Sequence, residues 1–182
     1  MPAPTRTPRE AWIEAGLTAL AEGGPEAVRV DVLAQVLGVS RGGFYHQFAS
    51  RQALLDELLD TWERRSTDEV VERVERDGGD ARAKVVEAGT LTFSRELLPI
   101  DLAVRDWSRR DAGVARRLKR VDNRRMAYLR TQIATLHDDP EDVEAIALLA
   151  FSLAIGNHFV AADHGGLGRR RVLERASARL LD

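Results

Sequence analysis

One short run of this chain holds side chains whose types and spacing suit recognition rather than turnover. It is SRGGFYHQF, residues 40–48. Ser40, Arg41, Tyr45, His46 and Gln47 offer hydrogen-bond donors and acceptors, and the planar fork of Arg41 matches the edge of a guanine or a phosphate. At about 100° per residue, with Arg41 at zero, Phe44 falls near 300° and Phe48 near 340°, on one face. Large apolar side chains at that spacing point to a core. The opposite direction carries His46, with Gly42 and Gly43 on either side, while Tyr45 and Gln47 flank the two faces. A glycine inside a helix costs roughly 0.5–1 kcal/mol relative to alanine. On an outward face a polar helix former would serve better. Bare backbone there makes sense when another surface must approach it closely, as the floor of a DNA major groove does.

Other candidate chemistry is weaker. His158 and His164, with Asp163, stand at i, i+6 and i+5. That spacing does not bring two histidines onto one helical face as i, i+4 does, so no metal site is expected. Ser94, Ser108 and Ser152 lack the G-x-S-x-G context of a nucleophile elbow. There are no cysteines, which excludes a disulfide scaffold, a thiolate zinc site and a cysteine nucleophile. Neither enzyme activity nor a cofactor is expected. The basic run Arg169, Arg170, Arg171 with Arg175 and Arg179 reads as a solvated helix start or a source of subunit ion pairs.

The elements that must hold residues 40–48 read as helices. Thr7-Pro8-Arg9-Glu10 predicts a helix start, with Thr7 capping, Pro8 at the first helical position and Glu10 closing a capping box. Trp12, Ala15, Gly16, Ala19 and Leu20 follow at helical spacing, and Gly23-Gly24-Pro25 ends that helix. Val30, Leu33, Ala34 and Leu37 form a second stripe. Gly38-Val39-Ser40 turns into a third helix, 41–47, and Ser50 caps a fourth that carries Leu54, Leu55, Leu58, Leu59 and Trp62. Two short helices joined by such a turn make a helix-turn-helix. The remainder is helical too, punctuated at residues 77–80, Pro99, Gly113, Pro140 and residues 165–168. The reading is all-α, about nine helices, as an N-terminal three-helix module and a larger helical body. The domain division predicted is 1–50 and 51–182.

The run VDVLAQVLGVSRGGFYHQFASRQALLDELL resembles the DNA-binding region of TetR-type transcriptional regulators. The matching positions are Ala34, Gly38-Val39-Ser40, Gly43, Phe44, Tyr45, Phe48, Arg51 and Leu54. The resemblance covers roughly residues 7–62. A softer one covers AVRDWSRRDAGVARRLKRVDNRRMAYL, 103–129. It implies that Tyr45 gives its hydroxyl to a phosphate and that Arg51, where lysine is commoner, binds another from the start of the fourth helix. Ser40, Arg41, Gly42, Gly43, His46 and Gln47 would complete the DNA-facing set. Arg41 would take the bidentate guanine contact. Gly43, where threonine or alanine is common, removes a base contact and shifts weight to Arg41 and DNA shape. Residues 1–51 hold five arginines and five acids, so binding is expected to rest on placed contacts and dimerisation, and to weaken with salt.

The same resemblance implies a ligand pocket in the helical body and a dimer through its C-terminal helices. Trp62, Phe93, Leu98, Leu102, Trp107, Met126 and Phe151 are the pocket candidates, although the same residues serve equally as plain core. The alanine-rich stretches 145–162 and 172–181 would pair with a second copy. The chain is then expected to be a cytoplasmic homodimeric regulator, most simply a repressor, with an inverted-repeat operator in double-stranded DNA and a small-molecule effector as partners. No membrane span is expected, since the most apolar run, 145–155, falls short of the ~20 residues a bilayer needs. The alternative is a dimeric helical ligand-binding module without DNA binding, which the charge-neutral N-terminal module keeps open.

Overall fold

The computed structural model describes residues 8–181. All the regular structure among them is helical, in ten α-helices, one 3-10 turn and one π-helical turn. The α-helices are α1 (Arg9–Gly23), α2 (Val30–Val36), α3 (Arg41–Tyr45), α4 (Arg51–Glu63), α5 (Glu69–Asp77), α6 (Ala81–Thr92), α7 (Leu98–Ser108), α8 (Ala112–Ile133), α9 (Pro140–Gly156) and α10 (Arg169–Leu181). The 3-10 turn is Pro25–Ala27, and the π-helical turn, Arg64–Asp68, lies between α4 and α5.

The breaks follow from the local sequence. Gly24 and Gly38 take φ of 71° and 67°, where any side chain would be strained. Ser50 Oγ accepts the Ala53 amide at 3.1 Å, and Asp80 and Asp139 cap α6 and α9 in the same way. Asp111 Oδ1 accepts the amides of Gly113 and Val114, so the break before α8 precedes Gly113. Some boundaries differ from the sequence reading; the third helix, predicted over 41–47, ends at Tyr45. Pro8 occupies the N-cap of α1 rather than its first turn, and no side chain caps that end; the Thr7 cap lies outside the described residues. The helix predicted over 145–162 ends at Gly156. Likewise Pro99 does not end a helix; it sits in the first turn of α7, where its missing N–H costs nothing.

The chain forms two compact units. Among the described residues, one comprises 8–65 together with 95–119; the other comprises 66–94 and 120–181. In the first, α1 packs on α2, α4 and α7. Trp12, Leu20, Leu33, Phe44, Leu54, Leu58 and Trp62 are fully buried there. Gly16 lets α1 meet α4, because a Cβ at that position would stand 2.9 Å from Leu58 Cδ2. The core also holds a carboxylate, Asp101, which accepts hydrogen bonds from Trp62 Nε1 (3.2 Å) and Arg105 Nε (2.7 Å). In the second unit Val85, Leu129, Ile133, Ala147 and Leu181 form the buried cluster, with Met126, Ile146 and Phe151 packed against it.

Candidate nucleic-acid interface

Helix α3 is only five residues long and could not persist alone. Aromatic packing fixes it. Phe44 meets Trp12 of α1 edge-on at 5.4 Å and stacks on Phe48 at 5.3 Å. Arg9 pins the far end: its guanidinium lies 4.1 Å from the centre of the Phe48 ring, donates to the Gln47 carbonyl and pairs with Glu57 of α4 at 2.7 Å. Sequence reasoning missed this role, since Arg9 stands in a helix start and nothing in its spacing marks it.

With that face anchored, the opposite face is open. Ser40, Arg41, Gly42, Tyr45 and His46 are exposed, while Gly43 and Gln47 are half-buried. Tyr45 touches Phe44 edge-on at 5.2 Å and leaves more than half its surface to solvent. Arg41 makes no hydrogen bond or ion pair among the described residues. Two of the module's acids are matched from beyond it: Arg65 grips Glu14 through both terminal nitrogens, and Arg110 stands 3.7 Å from Glu26. The hydrogen bond from Arg65 holds the Glu14 carboxyl below its usual range. Because these two partners lie beyond residue 51, the outward face keeps the charge of Arg41.

The two glycines are not required by the fold. Neither has a positive φ. A Cβ on Gly42 would meet only Ser40 Oγ at 3.6 Å, and one on Gly43 only Trp12 and Val39 at 3.8 and 4.0 Å, ordinary contacts. Arg51 is exposed at the start of α4, but its Nε donates to the Val28 carbonyl at 2.6 Å and a terminal nitrogen to that of Pro25. It clasps the 3-10 turn that leads into α2.

Residues 13–58 match the family model of bacterial regulatory proteins of the tetR family. The N-terminal module is that of the TetR family. The matched span runs from α1 into α4 and includes the whole helix-turn-helix. No curated protein is significantly similar to the sequence. Solved structures share the fold along nearly the full chain. The ketosteroid transcriptional regulator KstR2 of Mycobacterium tuberculosis is 18% identical with a TM-score of 0.65, over 98% of this chain and 95% of that one. A protein of Saccharomonospora viridis, described as a transcriptional regulator and solved with choline, is 19% identical with a TM-score of 0.76, over 93% of each chain. AibR, solved with isovaleryl coenzyme A and operator DNA, is 12% identical with a TM-score of 0.70, over 95% and 97%.

The predicted pocket residues separate. Phe93 and Phe151 line a pocket in the second unit, walled by the π-helical turn, α5, α6, α8 and α9. Their rings meet edge-on at 6.1 Å. Met126 packs against the neighbouring core. Leu98 and Leu102 line a shallower recess in the first unit with residues 21–24, and Trp62 and Trp107 are buried in that unit's core. His158 lies 6.1 Å from the Phe93 ring, and burial, then the charge of Arg169, lower its pKa. Among the described residues no group of three or more His, Asp or Glu is placed to hold a metal ion, and no helix is long and apolar enough to cross a membrane.

Proposed function

We propose that this chain is a homodimeric, sequence-specific DNA-binding transcriptional regulator, a repressor that a small molecule releases from its operator. The observation that carries the reading is the outward face of α3: an arginine without a partner among the described residues and two glycines that the fold itself does not need. Residues 1–50 act as the reading head and 51–182 as the ligand-binding and dimerisation body. Arg41 reads a base edge, Gly42 and Gly43 admit the helix deep into the major groove, and Ser40, Tyr45, His46 and Gln47 contact phosphates or base edges. Arg51 both orders the turn before α2 and brings positive charge to the N-terminus of α4, beside a phosphate. The structural neighbours solved with operator DNA, an acyl coenzyme A and choline support a two-partner reading of this kind.

Dimerisation is assigned to the C-terminal helices. Of α9 only Ala147 is buried, while Leu148 and Leu149 are 56% and 54% exposed, and Phe159 and Val160 continue the apolar surface. An apolar helix left this bare is suited to a second copy. A Leu149→Arg variant is expected to run as a monomer in sedimentation velocity and to bind an inverted repeat far more weakly than a dimer. An unchanged dimer would reassign the interface.

The effector shifts DNA binding only through unequal affinity for two conformations. The π-helical turn is suited to relay that choice. Its Arg65 holds Glu14 of α1, and the next two residues, Ser66 and Thr67, line the pocket.

Selection from a random duplex pool with the ligand-free protein tests the reading. The expected product is one inverted repeat whose half-sites lie about 34–36 Å, or a multiple of that, apart. On that site Tyr45→Phe is expected to cost about 1 kcal/mol of binding, roughly fivefold, with unchanged thermal stability. Unaltered affinity would remove Tyr45 from the phosphate contacts. If folded dimer enriches no sequence, the second reading stands: a ligand-binding module that does not bind DNA, consistent with the balanced charges of residues 1–51.

A further inference from the structure

The pocket in the second unit has a polar end that an apolar effector would leave unused. Most of its wall is hydrocarbon, from Val70, Val85, Ala88, Leu129 and Phe151. At one end stand Ser66, Thr67 and Arg125, which are 0%, 4% and 6% exposed. Arg125 donates to Ser66 Oγ at 2.7 Å, and its guanidinium carbon lies 5.8 Å from the centre of the Phe93 ring. Its other terminal nitrogen donates to Asp122 in an ion pair at 3.4 Å, an acid outside the lining. The Thr67 hydroxyl is buried with no hydrogen-bond partner among the described residues. The lining residues include this one cation and no acid.

From this arrangement we infer that the effector is a small carboxylate with an apolar body, its carboxylate on Arg125, Ser66 and Thr67 and its body between α6 and α9. A buried hydroxyl without a partner costs free energy that a ligand oxygen would recover. A buried guanidinium, the one charged group in a mostly apolar wall, discriminates for an anion, because charge-assisted hydrogen bonds strengthen where water is excluded. A cationic ligand would meet a like charge in a low-dielectric site. The inference rests on the reading of the chain as a ligand-responsive regulator for its biological meaning, but the binding itself does not require DNA.

The test is calorimetric titration of the full chain with hexanoate, octanoate and phenylacetate, each against its alcohol, and with octylamine. At least one carboxylate is expected to bind about tenfold or more tighter than its alcohol, and octylamine more weakly than either. Arg125→Gln is expected to abolish that preference. Since Arg125 also packs in the core, Thr67→Val is the cleaner variant. It replaces a hydroxyl without a partner by a methyl of the same shape, so the ligand-free protein is expected to melt no lower than wild type. Its carboxylate affinity is expected to fall by about fivefold. Alcohols binding as tightly as acids, no acid binding, or a Thr67→Val protein with undiminished carboxylate affinity would each overturn the inference. DNA retention is scored separately. A carboxylate that binds a protein unable to select DNA leaves this site standing and removes the regulator reading. An operator released by an alcohol and not by its acid does the reverse.

Discussion

Replacing Gly42 by leucine is expected to make the protein harder to unfold and nearly unable to bind its operator. Gly42 lies in the first turn of α3 at negative φ, exposed, and its missing Cβ would touch only Ser40 Oγ at 3.6 Å. Leucine there restores helix propensity and narrows the unfolded ensemble, a gain of up to about 1 kcal/mol. In the groove its side chain occupies the space into which the base edges must come. A loss of about a hundredfold, near 2.7 kcal/mol, is expected. Alanine at the same position should fall between, with similar stability and a smaller loss, so a series in side-chain size separates steric blocking from unfolding. Urea titration and operator binding on the same preparations measure both. A destabilised Gly42→Leu would mean that the fold requires this glycine. Full DNA affinity with leucine would mean that α3 does not enter the groove backbone-first.

That prediction draws on the part of the molecule most legible in the sequence. Helical periodicity alone places Phe44 and Phe48 inward and Gly42, Gly43 and His46 outward; the structure buries both phenylalanines, exposes Gly42 and His46 and leaves Gly43 half-buried. Turn and cap chemistry gives Gly38 and Ser50 their places. Such signals are local, so one chain segment contains them. The pocket depends instead on which buried faces meet. Periodicity marks Trp62, Phe93, Leu98, Leu102, Trp107, Met126 and Phe151 as inward, but it does not say that Phe93 and Phe151 face each other across one cavity while Trp62 and Trp107 fill another core. The polar end of the cavity had a signal that was open to reading. Val121, Arg125 and Leu129 recur at i, i+4 and i+8, and the arginine in that stripe is buried with its neighbours. The wide π-helical turn carrying Ser66 and Thr67 has no comparable mark.

The largest loss of stability is expected from Asp101→Ala. An acid in the first turn of a helix is favourable to the helix dipole and is ordinarily exposed. The register of α7 instead buries Asp101 completely beside Ile100 and Val104. Its two oxygens accept from the indole N–H of Trp62 at 3.2 Å and from Arg105 at 2.7 Å, so it ties α7 to α4 within the first unit. Truncation withdraws the acceptor from a wholly buried N–H and the counter-charge from an arginine whose side chain is 20% exposed. Breaking such a pair from one side costs about 3–5 kcal/mol. The lower end is expected here, because the arginine keeps access to water. Asp101→Asn, which retains an acceptor for the indole, should cost less than half as much. In a double-mutant cycle with Trp62→Phe, the Asp101→Ala loss should shrink by about 1 kcal/mol, the part that belongs to the indole hydrogen bond. A loss under 1 kcal/mol for Asp101→Ala, or strict additivity with Trp62→Phe, would show that this carboxylate is not what joins α4 to α7. The anchor matters to function because α4 is also the helix whose first residue, Arg51, holds the turn before α2. A loosened α4 leaves the reading helix without its base, so Asp101→Ala is expected to weaken DNA binding in step with stability, whereas Gly42→Leu moves the two in opposite directions.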